Sequence, residues 1–288
     1  MNIFSYCQEN PGSFFGQTIP EDTPSVFAEG VVTYPFMNHS SVTINKDMSE
    51  IYWSKWYNDE SRQEIVFSAL NGSKWSEPKV VSFSGQYSDD VPFLSPDNKR
   101  IYFISRRPVS EEDTSNIERI WYAIRDNYFT WSDPIMISSI INSEHIHWQF
   151  SVAEDYSIYY NSTDGMKFSE FKNGEYQKPK LLKEELNENY IGGNPFISPK
   201  KDYVIFSSKY LNDTRGKNDL YIGFRTKDGI WSDPINLGDK INGQKNELCP
   251  IVSPDGKSFF YVKQVEVYDI YWVSADFIDK LENSINKK

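Results

Sequence analysis

Residues 251–264, IVSPDGKSFFYVKQ, contain the pattern that decides the fold. A short apolar strand is followed by a tight turn at Ser253 to Gly256 and then by an alternating aromatic and β-branched strand. Proline presets φ in such a turn, and Asp and Gly tolerate its geometry, so the stretch predicts a β-hairpin. The same frame recurs four times, as VTINKDMSEIYWSK (42–55), FLSPDNKRIYFISR (93–106), FSVAEDYSIYYNST (150–163) and FISPKKDYVIFSSK (196–209).

The hairpins repeat at a regular interval. When Asn45, Ser95, Val152, Ser198 and Ser253 are taken as equivalent anchors, the spacings are 50, 57, 46 and 55 residues. Each hairpin is followed by a third apolar strand, and four of the five are followed by a fourth. Four strands per unit at this spacing are typical of a propeller blade. We therefore predict an all-β fold, a five-bladed β-propeller with four-stranded blades.

The whole chain, residues 1–288, is expected to form this one domain. The fifth unit has no fourth strand of its own after residue 274, and residues 21–32, EDTPSVFAEGVV, resemble the fourth-strand segment IWSDPINLGDKI that begins at Ile230. We expect residues 1–32 to supply the missing strand, because a closed ring exposes no sheet edge. The five repeats then span about 33–88, 89–143, 144–190, 191–245 and 246–288.

The charge and composition of the chain disfavour several classes of binding partner. The formal net charge of −11 disfavours nucleic acid and anionic membrane surfaces as partners. No run of apolar residues is long enough to span a bilayer, and the N-terminus shows no secretory signal pattern, so we expect a cytoplasmic protein. Cys7 and Cys249 alone make neither a disulfide framework nor a zinc site.

The turn chemistry carries a family resemblance. Residues 253–257, SPDGK, match the repeat of TolB-like (WD40-like) propellers fully, and residues 95–99 match it with Asn for Gly. Asp219 and Asp269 resemble the acidic residue that precedes the third strand in that family. The resemblance covers nearly the whole chain and implies a propeller that binds a ligand or a protein. The repeated Trp75, Trp131 and Trp231 are interpreted as packing between blades.

The candidate site follows from the geometry of the ring. Residues at equal distances before the anchors gather around one mouth of the central channel, where pockets commonly form. All three histidines of the chain fall there, with carboxylates from other blades. The candidate ligand-binding residues in this funnel are His39, Asp89, Asp90, Arg106, His145, His147, Trp148, Asn194 and Glu247.

These residue types allow more than one chemistry. His39 and His147 could assist a carboxylate pair of Asp89 or Asp90 with Glu247 in acid/base work. A divalent metal at His145 and His147 is an alternative, because His-x-His on a strand places both rings on one side. The adjacent Arg106 and Arg107 could hold an anionic ligand or pair with Asp89 and Asp90, and we favour the ion pairs. The Gly192-Gly193 pair leaves one side of the ring without side chains.

Two functions from different classes remain open, besides a purely structural scaffold. The first is a module that binds a small polar ligand or a protein partner at the funnel. The alternative is a hydrolase or lyase that acts on a carbohydrate or another small polar substrate there. The sequence holds no Gly-x-Ser-x-Gly elbow, phosphate loop, His-Glu-x-x-His or dinucleotide motif, so it leaves open whether the chain is an enzyme.

Overall fold

The structure, a computed structural model, describes residues 14–35, 37–57, 62–127, 130–143 and 146–285, with the backbone alone at 146–148. It is a five-bladed β-propeller, as predicted. Each blade is an antiparallel sheet, and the innermost strands of neighbouring blades pack against one another around the axis. The fold therefore gathers the starts of the innermost strands at one mouth of the channel and the hairpin turns at the other.

The strand bounds follow the predicted repeats closely, from innermost to outermost. Blade 1 contains Val42–Ile44, Glu50–Trp56, Gln63–Asn71, Lys74–Trp75 and Lys79–Val80. Blade 2 contains Asp89–Leu94, Arg100–Ser105, Arg119–Asn127, Thr130–Trp131 and Ile135–Met136. Blade 3 contains Ile146–Val152, Ile158–Ser162, Gly165–Ser169 and Lys180–Leu181, beside a small hairpin of Phe171–Lys172 with Glu175–Tyr176.

The last two blades complete the ring. Blade 4 contains Gly193–Ile197, Tyr203–Ser208, Asp219–Phe224 and Ile235–Asn236, and blade 5 contains Glu247–Val252, Ser258–Gln264, Tyr268–Ser274 and Ser25–Val26. Helices are short among the described residues: Ser139–Asn142, Leu182–Glu185 and Phe277–Ile285. None of the helices described is long and apolar enough to cross a membrane.

The N-terminal segment closes the ring as expected. Val26 lies opposite Tyr271 in the last blade, and the Phe27 amide donates to the Ile270 carbonyl at 2.8 Å. Phe27 is fully buried, and its ring packs edge-on against Phe260 and Trp272. Strand pairing and aromatic packing together hold the beginning of the described chain to its last blade.

The repeated turn is stabilised by its own side chains. The Ser95 hydroxyl donates to Asp97 Oδ1 at 2.7 Å, and the Ser253 hydroxyl donates to Asp255 Oδ1 at 2.6 Å. Blade 1 has no Ser-Pro pair, and the Asn45 carboxamide accepts the backbone N–H groups that follow the turn instead. Different side chains thus satisfy the same backbone donors.

Blade 3 departs from the predicted register in two ways that cancel. Ala153 N donates to Ser157 O, as Ser95 N donates to Arg100 O, so the equivalent of Ser95 is Ala153 and not Val152. The turn of blade 3 is therefore one residue shorter, and the bulge in its innermost strand is one residue longer. Positions before the bulge keep the register assigned from sequence, and Ile146 pairs with Ser162 as Asp89 pairs with Ser105.

The fourth strands of blades 1 and 2 are each split into two short pieces. Proline has no N–H to donate, and Pro78 and Pro134 lie in the gaps. Trp131, just before one gap, is buried and packs edge-on against Tyr52 of blade 1 with ring centroids 6.0 Å apart. This tryptophan therefore packs between blades.

Candidate funnel site

The innermost strands of blades 2 to 5 share a β-bulge near their start. In three of these bulges a non-glycine residue has positive φ: Val91 at 53°, Asn194 at 54° and Cys249 at 53°. Positive φ is a marked outlier for a β-branched residue such as Val91. Because bulges re-aim side chains and often adjoin functional sites, this repeated distortion marks the funnel mouth.

A cavity of about 280 Å³ opens at this mouth, on the side of blades 3, 4 and 5. Among the described residues, side-chain amides and hydroxyls dominate its lining, with one lysine and no carboxylate. The lining residues are Asn161, Gly192, Gly193, Asn194, Ser207, Lys209, Tyr210, Asn218, Asn246, Leu248 and Tyr268. Of the six predicted site residues whose side chains the structure describes, only Asn194 lines this cavity.

Hydrogen bonds fix several of these amides. Asn218 Nδ2 donates to Asn246 Oδ1 at 2.7 Å, and Asn246 Nδ2 donates to the Tyr268 hydroxyl oxygen at 3.1 Å. The Tyr268 O–H therefore remains able to donate to a ligand. Within the described part of the chain the Asn161 side-chain amide has no hydrogen-bond partner, so it can both donate and accept.

Gly192 and Gly193 allow close packing of the backbone and also leave space in the funnel cavity. A Cβ on Gly192 would lie 2.0 Å from the Ser207 carbonyl oxygen, so only glycine fits there. A Cβ on Gly193 would lie 3.1 Å from Asn161 Nδ2. The absence of a side chain at Gly193 therefore leaves room for the Asn161 amide in the funnel.

Asn194 and Cys249 meet across two blades. Cys249 Sγ lies 3.4 Å from Asn194 Oδ1, and Asn194 Nδ2 donates to Ser207 Oγ at 3.0 Å. Burial raises the pKa of the Cys249 thiol, and the nearby charge of Asp90 raises it further. This thiol is therefore a neutral hydrogen-bond donor and not a nucleophile.

Asp90 is the predicted carboxylate that faces the axis. It pairs with Ile104 as Leu248 pairs with Val262, so it shares the ring position of a residue that lines the cavity. Its Oδ1 accepts from Ser40 Oγ at 2.6 Å. Burial raises the pKa of the Asp90 carboxyl, and hydrogen bonds from Ser40 and Ser54 partly oppose that rise. A carboxyl with a raised pKa suits proton donation.

Asp89 and Glu247 do not join Asp90. Asp89 is fully buried, where its Oδ1 accepts from Arg107 Nη2 at 2.8 Å and its Oδ2 from Ser84 Oγ at 2.8 Å. Glu247 is also fully buried, 3.7 Å from Lys263 Nζ, and burial raises its pKa. Neither side chain lines the cavity, so in this structure the acid/base pair with Glu247 is not assembled.

His39 holds the ring closed. Its Nε2 accepts from the Tyr34 amide at 2.9 Å, and its Nδ1 lies 3.1 Å from the Tyr268 carbonyl oxygen. Burial lowers the His39 pKa, so the ring is neutral with its proton on Nδ1. Both ring nitrogens are engaged by backbone groups, and this histidine joins the start of blade 1 to blade 5.

The remaining predicted residues stay outside the cavity or lack a described side chain. Arg106 pairs with Glu118 at 2.9 Å and not with an aspartate; Arg107 forms the pair with Asp89 instead. His145 lies outside the described residues, and the structure describes only the backbone of His147 and Trp148. Among the described side chains no three His, Cys, Asp or Glu residues cluster as metal ligands, and the metal site at His145 and His147 stays a prediction.

Sequence reasoning missed the contribution of the second strands. Counting nine residues forward from the sequence anchors, rather than backward, gives Ser54, Ile104, Asn161, Ser207 and Val262. Three of these are polar, and Asn161 and Ser207 line the cavity. The signal was present, because the second strand of each hairpin ends at the same mouth at which the first begins.

Comparisons with known proteins agree on architecture. No known family matches the sequence, and no curated protein matches it. The resemblance to TolB-like propellers therefore stays a prediction. Solved structures do match over most of the chain, at sequence identities low enough that only the fold is shared.

Carbohydrate-acting propellers are among these matches. A structure titled glycoside hydrolase has a TM-score of 0.56 at 13% identity, covering 89% of this chain and 92% of its own. The catalytic domain of the Coprinopsis cinerea GH62 alpha-L-arabinofuranosidase has a TM-score of 0.51 at 10% identity, covering 88% and 98%. The GH43 endo-arabinanase from Bacillus licheniformis has a TM-score of 0.50 at 15% identity, covering 84% and 95%.

Proposed function

We propose that this chain acts on a carbohydrate, which it binds in the funnel cavity near Asp90. The observation that carries the proposal is the described lining of the cavity, which offers amides and hydroxyls with two tyrosines and contains no carboxylate. Neutral donors and acceptors match sugar hydroxyl groups, and tyrosine rings offer flat apolar surface to sugar faces. The names of the structural neighbours favour a carbohydrate over a protein partner.

Asp90 supplies the chemistry in this proposal. With its pKa raised by burial, the carboxyl keeps its proton to higher pH than an exposed aspartate and can protonate the oxygen of a glycosidic bond. Ser40 and Ser54 hold the carboxyl in place through hydrogen bonds. The reaction class is glycoside hydrolysis: Asp90 gives its proton to the glycosidic oxygen as the C–O bond breaks, and water adds to the anomeric carbon and returns a proton to the carboxylate.

Binding without turnover is the second candidate. Glycoside hydrolysis ordinarily uses two carboxyl groups on opposite sides of the scissile bond. Among the described side chains, Asp89 and Glu247 are both enclosed beside cations and no carboxyl lines the cavity itself, so Asp90 has no partner carboxyl there. A module that holds a sugar would need only the neutral lining.

One experiment separates the two candidates. Arabino-, xylo- and galacto-oligosaccharides are titrated into the protein by calorimetry, and the release of reducing ends is followed in parallel. The comparison is between wild type, Asp90→Asn, and Glu154→Gln on the opposite mouth. Cleavage that disappears in Asp90→Asn while binding persists supports the hydrolase. Binding in all three proteins without cleavage supports the binding module, and no binding of any sugar overturns both.

A further inference from the structure

We propose that the sugar recognised in the funnel carries a carboxylate and that Lys209 and Asn161 bind it. This inference rests on the proposed function, because it specifies the substrate class of the same cavity. Among the described residues, Lys209 is the cation that lines the cavity. Lys209 follows the second strand of blade 4, is exposed, and has a described neighbour in the Tyr210 ring, 5.3 Å from its Nζ.

The charge of Lys209 is not neutralised within the described residues. No described carboxylate lies within ion-pair distance of its Nζ, whereas three other cations near the funnel have a carboxylate within 4 Å. Arg106 pairs with Glu118, Arg107 with Asp89 and Lys263 lies near Glu247. Lys209 therefore places a positive charge beside the cavity that is available to an anionic ligand, although the chain as a whole has a net charge of −11.

Asn161 provides a second group of the right kind. It comes from blade 3, lines the same cavity as Lys209, and its amide N–H groups have no described acceptor. A carboxylate has two oxygens, so it can accept from the ammonium of Lys209 and from an amide at once. A neutral sugar hydroxyl would satisfy the amide but would leave the ammonium without a counter-ion.

The two mouths of the channel differ in charge in the direction that this inference requires. The opposite mouth has a cavity of about 580 Å³. Its described lining holds four carboxylates, Asp97, Glu154, Asp202 and Asp255, against two lysines, Lys46 and Lys200, so negative charge is in excess there. The described lining of the funnel cavity holds one lysine and no carboxylate. The charge difference should therefore favour an acidic ligand at the funnel over the opposite mouth, where the hairpin turns lie. It would not affect where a neutral sugar binds.

The size of the cavity limits the ligand. At about 280 Å³ it lies just below the range of about 300–1,000 Å³ that is usual for drug-sized ligands. It therefore suits one or two sugar rings at a chain end or within an open groove. We infer a uronic-acid residue held at this position, with the rest of the oligosaccharide extending past Tyr210.

The test compares an acidic and a neutral sugar of matched length. Galacturonate trimer and galactose trimer are titrated by calorimetry at low ionic strength into wild type, Lys209→Gln and Lys200→Gln. The wild type is expected to bind the acidic trimer at least tenfold more tightly, with a preference that falls as salt is added. Lys209→Gln should lose most of that preference, and Lys200→Gln, on the opposite mouth, should keep it.

A second variant keeps the outcome interpretable. Asn161→Asp places a negative charge beside the proposed carboxylate, so it should weaken binding of the acidic trimer at least tenfold and leave the neutral trimer within about twofold. Equal binding of the two trimers by wild type overturns the acidic-sugar inference but leaves the proposed function standing. Binding of neither trimer, nor of the other oligosaccharides, overturns the proposed function itself.

Discussion

Arg125 of blade 2 forms two parallel hydrogen bonds with Glu50 of blade 1, from Nη1 to Oε1 at 3.0 Å and from Nη2 to Oε2 at 2.9 Å. The Tyr52 hydroxyl also donates to Glu50 Oε2, and the guanidinium lies 4.3 Å from the Trp131 ring centroid. The Glu50 side chain is only 3% exposed. Hydrogen bonding, charge and ring stacking therefore coincide at one contact between blades.

Removing the Arg125 side chain should destabilise the folded protein. Arg125→Ala leaves Glu50 as a buried charge without its cation, and we expect a loss of about 3 kcal/mol in the free energy of unfolding. Urea denaturation measures this loss. The matched control is Arg106→Ala, because the Arg106–Glu118 pair is exposed and should cost less than about 1 kcal/mol. Similar losses of unfolding free energy in both variants would show that the buried Arg125–Glu50 pair contributes no more to stability than the exposed Arg106–Glu118 pair.

The closing segment should be essential for cooperative folding. Phe27 is fully buried against Phe260 and Trp272, so Phe27→Ala should lower the free energy of unfolding by about 3–5 kcal/mol. Deletion of residues 1–32 should open the ring and broaden the thermal transition. Ile230→Ala, at an exposed side chain, is the control and should change stability by less than about 0.5 kcal/mol. A deletion variant that melts as sharply and as high as the full chain contradicts ring closure by this segment.

His39 should make the contact between blade 1 and blade 5, where the ring closes, less stable at low pH. Its pKa is lowered from the usual 6.5 in the folded state, so below about pH 6.5 the unfolded chain binds more protons than the folded one. Stability that is present above pH 6.5 is therefore lost as the pH falls below it. Protonation of Nε2 also removes its hydrogen bond from Tyr34 N–H, and the Asp269 carboxylate, 3.6 Å from Nδ1, limits the penalty.

The measurement is the free energy of unfolding between pH 7.5 and 5.5. Wild type should lose stability over this range, and His39→Gln, which cannot gain a proton there, should show a shallower slope. Identical slopes in the two proteins would mean that His39 titrates normally and does not contribute to the acid sensitivity of this contact.

Glu247 should show the opposite dependence on pH. Its pKa is raised above the usual 4.5, so above about pH 4.5 the folded chain retains a proton that the unfolded chain releases. Stability therefore falls as the pH rises through that window. Glu247→Gln should abolish this fall and raise stability at pH 8 relative to wild type, while sugar binding in the funnel is retained. Loss of binding in this variant would instead support the sequence-based assignment of Glu247 to the site.

Much of the fold was predictable because local chemistry repeats. Five polar turns, three of them with a Ser-Pro pair, and alternating strands predicted the blades, and the Pro-containing segment from Glu21 predicted closure. The register of blade 3 was harder to assign, since a shorter turn and a longer bulge compensate for each other and only the hydrogen bond from Ala153 N reveals them. The helix Phe277–Ile285 was not predicted.

The site was less predictable than the fold. Counting from the anchors placed Asp90 and Asn194 at the funnel, but it could not show that Asp89 and Glu247, at the next position, are enclosed beside Arg107 and Lys263. Successive residues of a strand point to opposite faces, so an error of one position exchanges a pocket residue for a packing residue. Which cation accompanies each acid depends on tertiary contacts that no local pattern encodes.

The central claim is that a sugar binds in the cavity formed by Asn161, Asn194 and Tyr268, near Asp90. A crystal structure of Asp90→Asn soaked with the oligosaccharide that binds most tightly tests it directly. We expect a sugar ring in this cavity, with its hydroxyl or carboxylate oxygens within hydrogen-bond distance of the Asn161 amide. Sugar bound only at the opposite mouth among the turns of Asp97 and Asp255, or at no ordered position, contradicts the account.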